Sequence, residues 1–202
     1  MEILYKDSEL AVCIKQRGIL SQYDEKKPNM ISALRQELSS EVYPVHRLDR
    51  EVGGVMVFAL TQKSAAALSA QVADRSFDKQ YIALVHGSPD EKEGLMEDLL
   101  YFDKGKNKSF TVKKERRGVK KAVLEYTVTK AEEDKALVRV RLHTGRTHQI
   151  RVQFASRKMP LFGDRRYGAR DEAEFIHLWS EKIEFTHPLT GERLSFERAQ
   201  DF

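Results

Sequence analysis

The apolar positions of this chain fall into short runs separated by polar turns, and most runs have strand length. Ile3-Leu4-Tyr5 and Leu10 to Ile14 read as two strands joined at Lys6-Asp7-Ser8. Val55 to Leu60 is a continuous apolar run, consistent with a strand buried on both faces. Gln80 to His86 reads as a strand that stops at Gly87. Ala122 to Thr129 sets Val123-Glu125-Thr127 against Leu124-Tyr126-Val128, the alternation of a strand. Ala136 to Leu142 follows as another, after the turn Glu132-Glu133-Asp134-Lys135. Glu174 to Phe185 and Arg193 to Phe196 read as the last two, around His187-Pro188-Leu189-Thr190-Gly191. The polar, basic stretch Tyr101 to Lys121 reads as a hairpin or extended loop.

Three segments carry helical spacing. Pro28 opens the first, since proline is tolerated at the first helical position, and Ile31, Leu34 and Leu38 then form one stripe. Thr61 or Ser64 can cap a second helix, in which Ala65, Leu68 and Val72 share a face. A turn at Gly145 leads to a third near Thr147 to Arg157, with Ile150 and Phe154 four apart. Strands outnumber helices and do not alternate with them one for one. An α+β fold is therefore expected rather than a doubly wound sheet.

Composition narrows the class. A chain of 202 residues with 41% hydrophobic residues suits one compact domain. The net charge of +4 and a pI near 9.0 lean mildly toward a polyanionic partner. Cys13 is the only cysteine, which excludes an intrachain disulfide and a cysteine metal cluster; Ala11, Val12 and Ile14 around it point to a buried structural thiol. No apolar run approaches the ~18 residues of a membrane helix. The opening MEILYKDSEL lacks a signal-peptide pattern, so a soluble, cytoplasmic protein is expected. There is no GxxxxGK[ST] loop, no GxGxxG fingerprint and no HExxH pair, so neither a nucleotide cofactor nor a metal is expected. His46, His143, His148 and His177 are expected in framework or substrate-facing roles.

Four groups of residues carry candidate chemistry. Asp49 stands between His46-Arg47 and Arg50 in a polar turn, followed by Gly53-Gly54 and the apolar run. A carboxylate held among cations beside a buried strand can serve as nucleophile or base. From His143 to Arg170, the cations Arg146, Arg151, Arg157, Lys158, Arg165, Arg166 and Arg170 face one acid, Asp164, and are mixed with Gln149, Phe162 and Tyr167. That mixture suits RNA, with guanidinium groups on phosphates and planar groups on unpaired bases. Arg151 could also hold a carboxylate such as Asp49 charged; an ordinary solvated helix face is the competing reading. A third group, Lys104, Lys106, Lys108, Lys113, Lys114, Arg116, Arg117, Lys120 and Lys121, fits phosphate contact and a plain soluble hairpin equally. Tyr81, on the strand Gln80 to His86, could present its ring to a base or simply fill the core.

Three blocks in order, HRLD at His46–Asp49, KQYIALVHG at Lys79–Gly87 and TGRTHQIR at Thr144–Arg151, resemble the RluA-type pseudouridine synthases. GDRRYGA at Gly163–Ala169, HLW at His177–Trp179 and HPLTGE at His187–Glu192 extend the resemblance over nearly the whole chain. The resemblance implies a mixed, mostly antiparallel central sheet with flanking helices and a central active-site cleft. It also implies isomerisation of uridine in RNA without metal or organic cofactor. Asp49 matches the catalytic aspartate, Tyr81 the tyrosine on the target base, and Arg151 the basic partner of the aspartate. Ile150 matches an apolar wall of the pocket, and Arg47 a residue that helps open the RNA. His46, Arg146, His148 and Gln149 lie in the same blocks and are expected on the substrate side. Ribosomal or transfer RNA is the implied partner, acted on by a monomer with no obligate protein partner. The length matches a single catalytic domain, 1–202, without the N-terminal RNA-binding domain of many relatives. Two stretches depart from the family pattern, Val52-Gly53-Gly54 in place of Thr-Ser-Gly and Lys15-Gln16-Arg17-Gly18 in place of a lysine-proline turn. Both are expected to border the RNA-facing side. An RNA-binding or RNA-folding factor without catalysis remains the alternative. A carboxylate-pair hydrolase is weaker, since no second acid sits in a comparable motif.

Overall fold

Strands dominate because β-branched and aromatic residues fill the short apolar runs. The computed structural model describes residues 1–202. In chain order the elements are β1 (Ile3–Lys6), β2 (Leu10–Lys15), α1 (Met30–Leu38), β3 (Tyr43–Pro44), β4 (Gly53–Ala59), α2 (Gln62–Asp74) and β5 (Asp78–His86). Then come β6 (Glu93–Asp103), β7 (Lys108–Val112), β8 (Val119–Ala131), β9 (Lys135–Leu142), α3 (Gln149–Ala155), a 3-10 turn at Arg165–Tyr167, β10 (Leu178–Thr186) and β11 (Arg193–Glu197). The α+β expectation holds. No helix is long and apolar enough to cross a membrane.

The chain forms two compact units. The first comprises Met1–Lys79 and Trp179–Asp201, the second Gln80–Leu178 with Phe202. In the first, β4 lies between β2, antiparallel from Leu10↔Ala59 to Lys15↔Gly54, and two shorter partners. β10 pairs with its start in parallel, at Trp179↔Gly53 and Ser180↔Gly54, and β3 pairs with its end. Every residue of β2 and β4 is buried. Cys13 belongs to this core, and burial pushes its thiol up to about 12, which makes it inert.

Helix ends follow local rules with one shift. α1 begins two residues after Pro28, because Asn29 caps it by accepting from the Ser32 backbone N–H. Thr61 caps α2 in the same way through Ser64. In the second unit the strand order is β5-β9-β8-β6-β7, with all pairs antiparallel. The basic stretch is a hairpin, as expected, and its first strand reaches back to Glu93. That strand was hidden in the sequence because little of it is fully buried beyond Met96 and Leu100. Conversely, Glu174 to His177 is not strand. Phe175 passes so close to Gly163 that a Cβ there would lie 2.0 Å from the Phe175 carbonyl oxygen. His177 instead bonds across to Phe162 and Leu84.

The Gly53-Gly54 pair is set by packing. A Cβ on Gly53 would meet the Trp179 ring at 2.4 Å, and one on Gly54, whose φ is +126°, would meet the Ser180 carbonyl oxygen at 2.3 Å. Val52 is 2% exposed. These three residues are therefore packed into the interior of the first unit. Lys15 is likewise fully buried, whereas Gln16 after it is exposed. Gly54→Ala should destabilise the protein by at least about 3 kcal/mol, since backbone strain adds to a clash with backbone that cannot rotate away. Urea unfolding would measure this.

Candidate active site

Asp49 is half-buried on a turn closed by the Val52 N–H, which donates to the Asp49 carbonyl at 3.0 Å. The segment Lys15–Ser21 holds this turn from beneath. Ser21 Oγ donates to the Leu48 carbonyl at 2.9 Å and accepts from the Leu48 N–H at 3.0 Å. Gly18 N–H donates to the Arg50 carbonyl at 2.8 Å, and Arg50 Nε donates back to the Gly18 carbonyl at 3.0 Å. The Lys15 ammonium donates to the carbonyls of Gln16, Arg50 and Val52 at 3.0, 3.2 and 2.6 Å. Backbone on both sides of Asp49 is thus fixed by its own unit.

His46 belongs to the same framework. Its Nε2 accepts from the Val57 N–H of β4 at 3.3 Å, and its ring tilts against Phe77 at 5.3 Å. Burial, helped by the charge of Lys79, pushes its pKa down to about 3, so the ring is neutral at any working pH. With Nε2 accepting, the ring proton sits on Nδ1, which is buried without a hydrogen bond. Arg47 is exposed.

The other expected site residues lie in the second unit. Tyr81 is 5% exposed on β5, opposite Val140 of β9. α3 is buried from Gln149 through Phe154, which removes the reading of a solvated basic face. His148, in the left-handed region at φ 54°, turns the chain into this helix. Gln149 is consumed locally: Oε1 accepts from Thr144 Oγ1 and the Arg146 N–H, and Nε2 donates to the Val123 carbonyl. Arg146 is exposed, and its Nε donates to the Lys121 carbonyl. Ile150 is 4% exposed, next to Arg151.

Arg151 has a partner that the linear pattern did not assign to it. Its Nε and Nη2 donate to Asp164 Oδ2 and Oδ1 at 2.7 and 2.8 Å, and its guanidinium lies 5.1 Å from the centre of the Tyr167 ring. Both ends of this ion pair are out of solvent. Tyr167 in turn accepts from the Ser109 N–H at 2.8 Å and bonds to His148 Nδ1 at 3.0 Å. Burial raises the Tyr167 pKa and keeps the phenol neutral. The arrangement fixes the plane of a cation with five donors, two of which go to Asp164. The signal for Asp164 was its position as the lone acid among seven cations. Lys15 gave a fainter signal, a charge ending an apolar strand. No group of His, Cys, Asp and Glu side chains is placed to hold a metal ion.

Removing one partner of a buried ion pair strands the other charge, so Asp164→Asn should cost about 3–5 kcal/mol. Chemical denaturation would read this loss, and Arg151→Met/Asp164→Asn should recover part of it.

A family model described as RNA pseudouridylate synthase matches residues 9–156. Over 207 residues the chain is 34% identical to the dual-specificity RNA pseudouridine synthase RluA of Escherichia coli, covering 99% of this chain and 93% of that one. It is 32% identical to an uncharacterized RNA pseudouridine synthase of Mycoplasma pneumoniae, covering 100% and 67%. The solved structure of human RNA pseudouridylate synthase domain containing 4 superposes with a TM-score of 0.81 at 22% identity, covering 99% of this chain and 88% of that one, which establishes the shared fold. The chain belongs to the RluA-type RNA pseudouridine synthases, isomerases that convert uridine in RNA to pseudouridine.

Proposed function

We propose that this enzyme modifies specific uridines in ribosomal or transfer RNA, with Asp49 as the reacting carboxylate and Arg151 and Tyr81 completing the site. In this reading residues 1–202 act as one catalytic domain, a cytoplasmic monomer without cofactor. The observation that carries it is the locked turn under Asp49, whose backbone is hydrogen-bonded before and after the carboxylate. A carboxylate so fixed loses little freedom on reaching the sugar.

The target nucleotide first leaves its stack, at a cost of about a few kcal/mol, least in a loop or bulge. Arg47 helps open the RNA and fills the vacated space. Asp49 then either adds to the anomeric carbon or removes the neighbouring 2′ proton, and the glycosidic bond to N1 breaks. The uracil turns on Tyr81 and against Ile150, and its carbon 5 bonds to the anomeric carbon, which releases the Asp49 carboxylate on the first route and returns the proton from Asp49 to carbon 2′ on the second. Carbon 5 loses its proton and N1 gains one, so the product is an isomer of the substrate. Arg151, held in plane by Asp164, orients the Asp49 carboxylate. His46, Arg146, His148 and Gln149 shape the substrate side, with His148 and Gln149 acting through the framework bonds they make.

Total RNA from a strain lacking the gene is the substrate for the test, with pseudouridine mapped by chemical adduct and primer extension. The parent protein should restore specific sites and Asp49→Asn should restore none while still binding RNA. Equal modification by Asp49→Asn would refute the assigned role. Binding without modification by the parent protein would favour the RNA-folding alternative.

The β6–β7 hairpin and the β7–β8 turn supply a surface for the RNA backbone. Lys104, Lys106, Lys113, Lys114, Arg116 and Arg117 are exposed there, and Lys108 ties the hairpin to the 3-10 turn through the Arg166 carbonyl. Replacing Lys113, Lys114, Arg116 and Arg117 by Ala should weaken RNA binding. The slope of log K against log salt should become shallower by about 0.7 for each phosphate that is no longer neutralised. Filter binding over a salt series would measure both.

A further inference from the structure

Residues Leu20 to Met30 form a loop whose two ends are fastened together. Leu20 N–H donates to the Pro28 carbonyl at 3.0 Å, and Met30 N–H donates to the Leu20 carbonyl at 2.8 Å. Inside the loop, Asp24 Oδ1 accepts from the backbone N–H groups of Lys26 and Lys27, both at 2.9 Å. The Asn29 side-chain amide donates to the carbonyls of Asp24 and Lys27 at 2.8 and 3.0 Å. A loop stitched by its own side chains is a preformed surface and not a loose connection. It presents Tyr23, which is 59% exposed and takes no part in the ring pairs of the first unit.

The loop is joined to the Asp49 turn. Ser21, two residues before Tyr23, exchanges hydrogen bonds with both backbone groups of Leu48, the neighbour of Asp49. Two residues of extended chain span at most about 7 Å, so Tyr23 belongs to the surroundings of the same turn. Arg47 and Arg50 on that turn are exposed, and so are Lys26 and Lys27 in the loop. Asp24 spends one carboxylate oxygen on the loop backbone, and Glu25 is the exposed acid of the loop. An exposed ring among cations, on a fastened backbone, suits unpaired bases: the ring stacks and the cations meet the phosphates. A single exposed aromatic is ordinary on a protein surface. The fastening of this loop to the residue before Asp49 sets Tyr23 apart.

We propose that Tyr23 is a stacking subsite for an unpaired RNA base that neighbours the target uridine, with Lys26 and Lys27 on the adjoining phosphates. This rests on the assignment of Asp49 as the reacting carboxylate. It adds a requirement on the substrate: a nucleotide beside the target is unpaired in the bound RNA. Flipping the target leaves its neighbour with one open face, and the Tyr23 ring covers that face. Every base has a face that can stack, so Tyr23 contributes affinity and not sequence choice.

Two measurements on the full-length protein test this. The first uses total RNA tritiated at carbon 5 of uridine, taken from a strain lacking the gene, with release of tritium to water as the measure of turnover. Tyr23→Ala should raise KM about tenfold, the scale of one lost base stack, while kcat changes by less than about twofold. Tyr23→Phe keeps the ring and should restore the parent KM. The second needs no turnover. The indole fluorescence of Tyr23→Trp, with the parent protein as the baseline for Trp179, should be quenched by polyuridylate and not by polyphosphate, which carries charge without bases. Should Tyr23→Ala fail to fold, this titration decides alone. A Tyr23→Ala KM within about twofold of the parent, a loss confined to kcat, or a Tyr23→Phe as impaired as Tyr23→Ala would overturn the proposal. So would no quenching by polyuridylate, or equal quenching by polyphosphate. Absence of tritium release by the parent protein would instead overturn the assigned RNA substrate and the active role of Asp49.

Discussion

The complete burial of β4 is the constraint on which the first unit depends. Its residues Gly53 to Ala59 are all buried, with β2 along one edge and β10 and β3 sharing the other. A strand enclosed in this way cannot slide, because a slip of one residue would exchange its two faces. The turn that precedes it inherits that rigidity. His46 is tied to Val57, Leu48 to Ser21, and Val52 to Lys15, so Asp49 stands between anchors that all lead back to one core. The Asp49 turn is thus placed by the protein's own core, through a buried strand.

Two buried cations, one in each unit, are held by different means. Arg151 is matched by a carboxylate in fork geometry, which fixes the plane of the guanidinium and keeps its charge at any pH. Lys15 is matched by carbonyl dipoles, which fix a position but offset desolvation only in part, and its pKa falls accordingly. The first is a permanent aimed charge, the second a titratable one. Each is held within its own unit, so neither depends on RNA for its geometry.

The departures from the family pattern have a packing origin. Gly53 leaves room for the Trp179 ring, whose Nε1 donates to the Arg198 carbonyl and over which Arg17 lies at 5.4 Å. Gly54 lets β10 approach β4 with backbone against backbone. Val52 contributes a carbonyl to Lys15 and a side chain to the core. Their neighbours in space explain these residues, so they do not by themselves point to an unusual substrate.

The linear chain was enough to read the class of the fold, most strands, the helix starts near Pro28 and Thr61, and the membership in a family that isomerises uridine. Those properties are local: apolar periodicity and ordered motifs survive without knowledge of contacts. The chain also singled out Asp49, Tyr81 and Arg151. Three-dimensional packing was needed to pair Arg151 with Asp164, to spend Gln149 and His148 on framework bonds, and to bring Lys15 under the Asp49 turn. Each of these joins a charge or amide to a group that the linear pattern does not mark as its partner. A polar residue reads as exposed until its partner is known, because burial is tolerable only once its hydrogen bonds are made.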